Sequence, residues 1–178
     1  MANRYLGTLL PALVILLASS AHAQTTVVPT YNAIDPDTMK KIVDAQGQAQ
    51  TTVDLSDPQG PIIKVQLIGG IGYWVELDDC DNGQPNLCKS MSLRAQLPAG
   101  SLNFFQVNAF NQNMRYATAF FGDKGVPELR MDANLRGGVT QTFIAYDVRI
   151  FTKVVLDYIK QATLQPTITP PPKSSAAK

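Results

Sequence analysis

Histidine is nearly absent from this sequence. The one that occurs, His22, falls in an N-terminal stretch that reads as a removable leader, so the processed chain is expected to carry no imidazole. That excludes Ser-His-Asp and Cys-His catalysis, in which an imidazole takes the nucleophile's proton near neutral pH. Cysteine is equally scarce. Cys80 and Cys88 are the only two, and a zinc site needs four ligands from Cys, His or carboxylate. Nor do they have the C-x-x-C spacing of a redox centre. Charged residues make up only 16% and balance, fifteen Lys and Arg against fourteen Asp and Glu. Apart from Lys40-Lys41 the basic residues stand singly, so the field that steers nucleic acid or an anionic membrane is missing. GGIG at residues 69–72 is followed by neither a helix start nor G-K-S/T, so it reads as a hairpin turn, not a phosphate cradle. No cofactor is implied.

Long apolar runs are also missing, with one exception. Residues 9–18, LLPALVILLA, follow Arg4 and precede Ser20-Ala21-His22-Ala23, the small-x-small pattern accepted by signal peptidases. The run is interrupted by Pro11 and falls short of the roughly 20 apolar residues of a spanning helix. The expected arrangement is a signal peptide over 1–23 cut after Ala23, an extended lead-in over 24–34, a single domain over 35–163 and a disordered Pro-rich tail over 164–178. Export without a membrane span places the processed chain in the periplasm or outside the cell. In that oxidising setting Cys80 and Cys88, which enclose the turn formers DNGQPNL, are most simply a disulfide at a hairpin end.

What remains is an ordinary globular make-up, 45% hydrophobic, with a clear succession of periods. Asp35-Pro36 opens a short helix with Met39, Ile42 and Val43 on its apolar stripe. From Thr51 the period becomes two. Val53 and Leu55, then Ile63, Val65 and Leu67, then Tyr73, Val75 and Leu77, then Met91, Leu93, Ala95 and Leu97 lie on one face of successive strands. Trp74, Glu76, Asp78, Ser92, Arg94 and Gln96 lie on the other. Ser101 is expected to cap a second helix, 102–115, with Leu102, Phe105, Ala109, Phe110 and Met114 on its apolar side and Asn108, Asn111 and Arg115 gathered on another. Strands follow over 116–121 and 126–135, a second meander. A long helix over 140–162 has Ile144, Val148, Phe151, Val155, Tyr158 and Ile159 as its core stripe. The pattern is α+β: an antiparallel sheet with three helices packed on it.

The segments GYWVELDDC, NAFNQNMRYATAFF and ELRMDANLRGGVT, in that order, resemble the YbjN domain family, labelled bacterial sensory transduction regulators. The family's N-x-W-N-type segment, arginine, acidic residue and Gly-Gly are matched here by Asn108, Asn111, Arg115, Asp132, Gly137 and Gly138, with Phe110 in place of the tryptophan. The resemblance implies a fold like that of type III secretion chaperones, which bind other polypeptides.

Asn108, Asn111, Arg115 and Asp132 are therefore candidates for binding. The simpler alternative is that the asparagines bond to backbone at the helix-strand junction and that Arg115 pairs with a carboxylate such as Asp132, since asparagine has no proton to exchange near neutral pH. The carboxylates of WVELDDCD leave open a hydrolase centred on Glu76 and Asp79, although consecutive aspartates at a hairpin end are commonly solvated turn residues. The same cluster lacks the spacing of a calcium loop, so no metal is expected. The reading reached is a non-enzymatic exported domain that binds a protein or peptide partner, with homodimerisation left open. A periplasmic small-ligand sensor is the other alternative.

Overall fold

The computed structural model describes residues 28–47, 50–67, 70–81 and 84–164. The expected leader, its cut after Ala23 and the Pro-rich tail beyond Leu164 lie outside them. In chain order the elements are β1 (Thr30–Tyr31), α1 (Pro36–Asp44), β2 (Gln50–Asp54), β3 (Ile62–Gln66), β4 (Gly72–Asp81), β5 (Gln84–Gln96), α2 (Phe104–Asn113), β6 (Thr118–Phe121), β7 (Pro127–Asn134), β8 (Val139–Thr140) and α3 (Gln141–Leu164). This is the α+β architecture read from the sequence: three helices and a six-stranded antiparallel sheet.

The strands lie in the order β2-β3-β4-β5-β7-β6. From β2 to β5 the chain is a meander, each strand pairing with the next. The second meander expected from the sequence does not stand apart. β7 pairs with β5 on one side and β6 on the other, both antiparallel, so β5 and β6 run parallel and need a long connection, which α2 supplies.

One face of this sheet is the core. Ile63, Val65, Tyr73, Val75, Leu77, Met91, Leu93 and Leu129 are buried, as period-two alternation demands, and meet Met39, Ile42 and Val43 of α1 and Ile144, Val148, Phe151 and Val155 of α3. Burying each such side chain contributes about 1.5–3 kcal/mol. Tyr73 and Phe151 join sheet to helix edge-on, their ring centroids 5.5 Å apart, and Phe110 of α2 meets Tyr158 of α3 at 4.7 Å. Leu55 departs from expectation: it lies past the end of β2 and is 65% exposed.

Helix starts follow their caps. Asp35 accepts from the Thr38 backbone N–H at 2.9 Å, with Pro36 in the first turn. For α2 the cap is Asn103, not Ser101. Its side chain accepts from Gln106 N at 3.1 Å while Gln106 Oε1 accepts from Asn103 N at 2.8 Å, a reciprocal capping box. The buried face of α2 also differs from expectation: Val107 and Phe110 are buried, whereas Phe105 is 86% exposed and Ala109 is exposed too.

The lead-in also differs from a simple extended approach. β1 pairs with β8, and Ile34 exchanges two backbone hydrogen bonds with Cys88, at 2.9 and 3.0 Å. Ile34 thus takes the place β7 would occupy beside β5 had it continued past Asn134, and it is 1% exposed. On the other side of Cys88 stands Cys80, directly opposite across the β4–β5 ladder and joined to it by a disulfide.

Candidate functional site

Because α1 and α3 cover one face of the sheet, the polar positions of its strands come together on the other. Register decides which side chains become neighbours. Glu76 is opposite Ser92 and Ser92 opposite Asp132; Trp74 is opposite Arg94 and Arg94 opposite Arg130; Gln96 is opposite Glu128. Two arginines directly across a ladder would repel. Here the carboxylates of the neighbouring rows intervene.

Arg94 donates through Nη1 to both oxygens of Glu76, each at 3.1 Å, and through Nη2 to Glu128 Oε2 at 2.8 Å. Gln96 Nε2 donates to the other Glu128 oxygen at 2.9 Å, and the Trp74 indole N–H donates to Glu76 Oε1 at 2.8 Å. The Arg94 guanidinium carbon lies 5.8 Å from the Trp74 ring centroid, within cation–π range. Burial alone would lower the Arg94 pKa; the hydrogen bonds to Glu128 and then Glu76 outweigh it and hold it above the ordinary value. Glu128 has only 5% of its side chain exposed, because it lies against Gly122, where a Cβ would collide with its carboxyl group. A carboxylate so placed depends on its partners, since removing one leaves a buried uncompensated charge.

Alongside lies a second cluster. Ser92, 3% exposed, donates from Oγ to Asp132 Oδ1 at 2.6 Å and stands 3.2 Å from Asp78 Oδ2. Arg130 Nε donates to Asp132 Oδ1 at 2.7 Å. Burial, assisted by the charges of Glu76 and Asp132, raises the Asp78 pKa against the opposing pull of Ser92 and Arg130. Arg136 pairs with Asp79, a residue held at φ 56 where β4 turns toward its bulge. These groups border an open groove of about 720 Å³. A second open groove of about 720 Å³ lies toward the β2 edge, beside Trp74.

The residues singled out from the sequence do not assemble into one site. Asn111 is turned to the outer edge of β6: its Nδ2 donates to Ala119 O at 2.9 Å and its Oδ1 accepts from Ala119 N at 2.8 Å. Asn108 and Arg115 are exposed, and Arg115 lies beyond the last residue of α2 rather than on its face. Asp132, the carboxylate matched with Arg115, sits on β7 and is bound by Ser92 and Arg130 instead. Glu76 and Asp79 both border the charged groove, but Glu76 is held by Arg94 and Trp74 and Asp79 by Arg136, so each serves a charge pair. Sequence reasoning placed Glu76, Ser92 and Arg94 on the polar face without joining them to Glu128 and Arg130. The signal was present as alternation in WVELD, SLRAQ and ELRMD, where polar or charged residues recur at every second position. Among the described residues no helix is long and apolar enough to cross a membrane, and no cluster of His, Cys, Asp or Glu is placed to hold a metal ion.

The arrangement is a charged face on an α+β scaffold, with its acidic and basic groups tied into pairs. Residues 35–163 match the sequence profile described as "YbjN: Putative bacterial sensory transduction regulator", and the chain belongs to that family. Among solved structures, the chain is similar to "YbjN, a putative transcription regulator from E. coli", with 18% identity over 72% of this chain and 87% of the other and a TM-score of 0.40. No curated protein matches it. The matched span starts on the cap of α1, although β1 and Ile34, just before it, are built into the fold.

Proposed function

We propose that this chain is an exported, non-catalytic regulatory domain that recognises another polypeptide on the polar face of its sheet. The observation carrying this reading is the open groove bordered by Arg130, Asp132 and Arg136, where acidic and basic groups lie side by side and, among the described residues, no helix residue lines it. Such a surface offers complementarity and orientation to a partner. It offers little to a reaction: Ser92 is buried and bonded to a carboxylate, and no histidine occurs among the described residues. The family's regulatory description supports the same reading. Export is supported by the leader-like N-terminus and by the disulfide, a bond that persists in oxidising compartments.

The test is in-cell crosslinking and affinity capture with the wild-type chain beside an Arg130→Glu/Arg136→Glu variant. Both arginines are exposed, so the fold should tolerate the change. A partner recovered reproducibly by the wild type and lost by the variant, at an unchanged urea midpoint, is the expected result. Capture of the same proteins by both, or of none, would overturn the reading.

A further inference from the structure

The groove beside Trp74 differs in chemistry from the charged one. Its floor is Gly72, opposite Gln66 in the β3–β4 ladder. A Cβ there would come within 2.9 Å of the Val65 carbonyl oxygen, so the position takes glycine and no side chain rises from the sheet. Glutamines surround the gap: Gln66, Gln50 directly opposite it on β2, and Gln96 on β5. Gln50 and Gln66 are exposed and have no hydrogen-bond partner among the described residues. Gln96 is fixed through its nitrogen to Glu128, which leaves its carbonyl oxygen as an acceptor.

Trp74 forms the wall. Its N–H is committed to Glu76, two residues along the same face. The charges bordering this groove are neutralised from within, Lys64 by Asp54 at 2.7 Å and Glu76 by Arg94 at 3.1 Å. Among the described residues lining the groove, an anionic ligand would meet no free cation and a cationic one no free carboxylate. What the groove offers is an aromatic wall, free amide donors and acceptors, and no net charge.

We propose that this groove binds a neutral saccharide unit, with the sugar ring against Trp74 and its hydroxyls on Gln50, Gln66 and Gln96. The C–H groups on the flat side of a pyranose carry slight positive charge and pack on the negative face of an indole. Sugar hydroxyls both donate and accept, as do side-chain amides, so each free glutamine can answer two of them. An aromatic wall with a few placed polar groups is the general make-up of a small-molecule site. The site adjoins the charged surface proposed for a polypeptide partner, with Glu76 on the border of both, but neither reading needs the other.

Trp74 is the only tryptophan, so its emission reports on this groove and on the Glu76–Arg94 pair it touches. The experiment titrates the purified chain with short chito-, malto- and cello-oligosaccharides, following Trp74 fluorescence and calorimetric heat, beside an array of neutral glycans. A saturable change with at least one saccharide is expected. Gln66→Ala should weaken it by about tenfold, roughly the cost of one lost hydrogen bond to ligand, with an unchanged far-UV spectrum and urea midpoint. Gln50→Ala provides a second, independently folded check. Absence of saturable binding to every glycan, equal affinity in both variants, or a response to extended peptides alone would overturn the proposal.

Discussion

Replacing Asn111 by alanine separates an architectural role from a binding one. The Asn111 side chain offers one acceptor and one donor to the free edge of β6, where it satisfies both backbone groups of Ala119. It thereby imitates a peptide group of the strand that would otherwise lie there, and closes an edge to unwanted pairing. Alanine removes both hydrogen bonds, each worth about 1 kcal/mol net. Asn111 is exposed, so water recovers part of the loss and about 1–2 kcal/mol is expected. At a urea slope of about 1.5–2 kcal/mol/M, the unfolding midpoint should fall by about 0.5–1 M with the slope unchanged. Asn111→Asp should be at least as damaging. A carboxylate accepts from the Ala119 N–H but brings a lone pair against the Ala119 carbonyl. Asn108→Ala, at an exposed position, should move the midpoint by less than about 0.3 M. Equal shifts at Asn108 and Asn111, or no shift at Asn111, would refute the edge-closing account.

Gly122→Ala should push the Glu128 carboxyl off Arg94 and Gln96, at a cost of about 2–4 kcal/mol in chemical denaturation, because Glu128 has almost no water to turn to. Asp147 of α3 is partly buried, and that burial raises its pKa to about 6. A carboxyl whose folded pKa exceeds its unfolded value favours the folded state only while protonated, so its contribution is lost as pH rises from about 4 to about 6. Asp147→Asn should therefore stabilise the protein at pH 7 and flatten that part of the pH profile. The gain should be about 1 kcal/mol once the screening of a partly exposed group is allowed for, and paired denaturation curves at pH 4 and pH 7 check it. Cys80→Ser/Cys88→Ser should cost about 2.5 kcal/mol, the chain-entropy value for so short a loop, and thiol titration of the native wild type should find no free thiol.

Where a single segment carried its own signal, the sequence was enough. Alternation named the buried face of β3, β4 and β5 residue by residue, and the apolar stripe of α3 was complete apart from Val154, which is buried as well. Asp35-Pro36 identified the start of α1 because cap and proline are both local. The start of α2 was misread because Ser101 and Asn103 are both capable caps, and the capping box with Gln106 decides between them. The pairing of Arg115 with Asp132 failed for a topological reason. β7 enters between β5 and β6, which sets Asp132 beside Ser92 on the polar face while Arg115 remains past the end of α2. The Glu76–Arg94–Glu128 contacts span separations of 18 and 34 residues. Alternation shows which face each residue takes, but only strand order and register show which neighbour it meets.

The short β1–β8 pair has a consequence for whatever the domain is attached to. Gln141, the first residue of α3, donates its backbone N–H to Pro29 O at 3.0 Å. Residue 28 therefore lies beside the first turn of that helix. Leu164 closes its last turn, 24 residues along, or about 36 Å away at the helical rise. The two ends of the described chain are thus held apart by the full length of α3, which fixes their spacing.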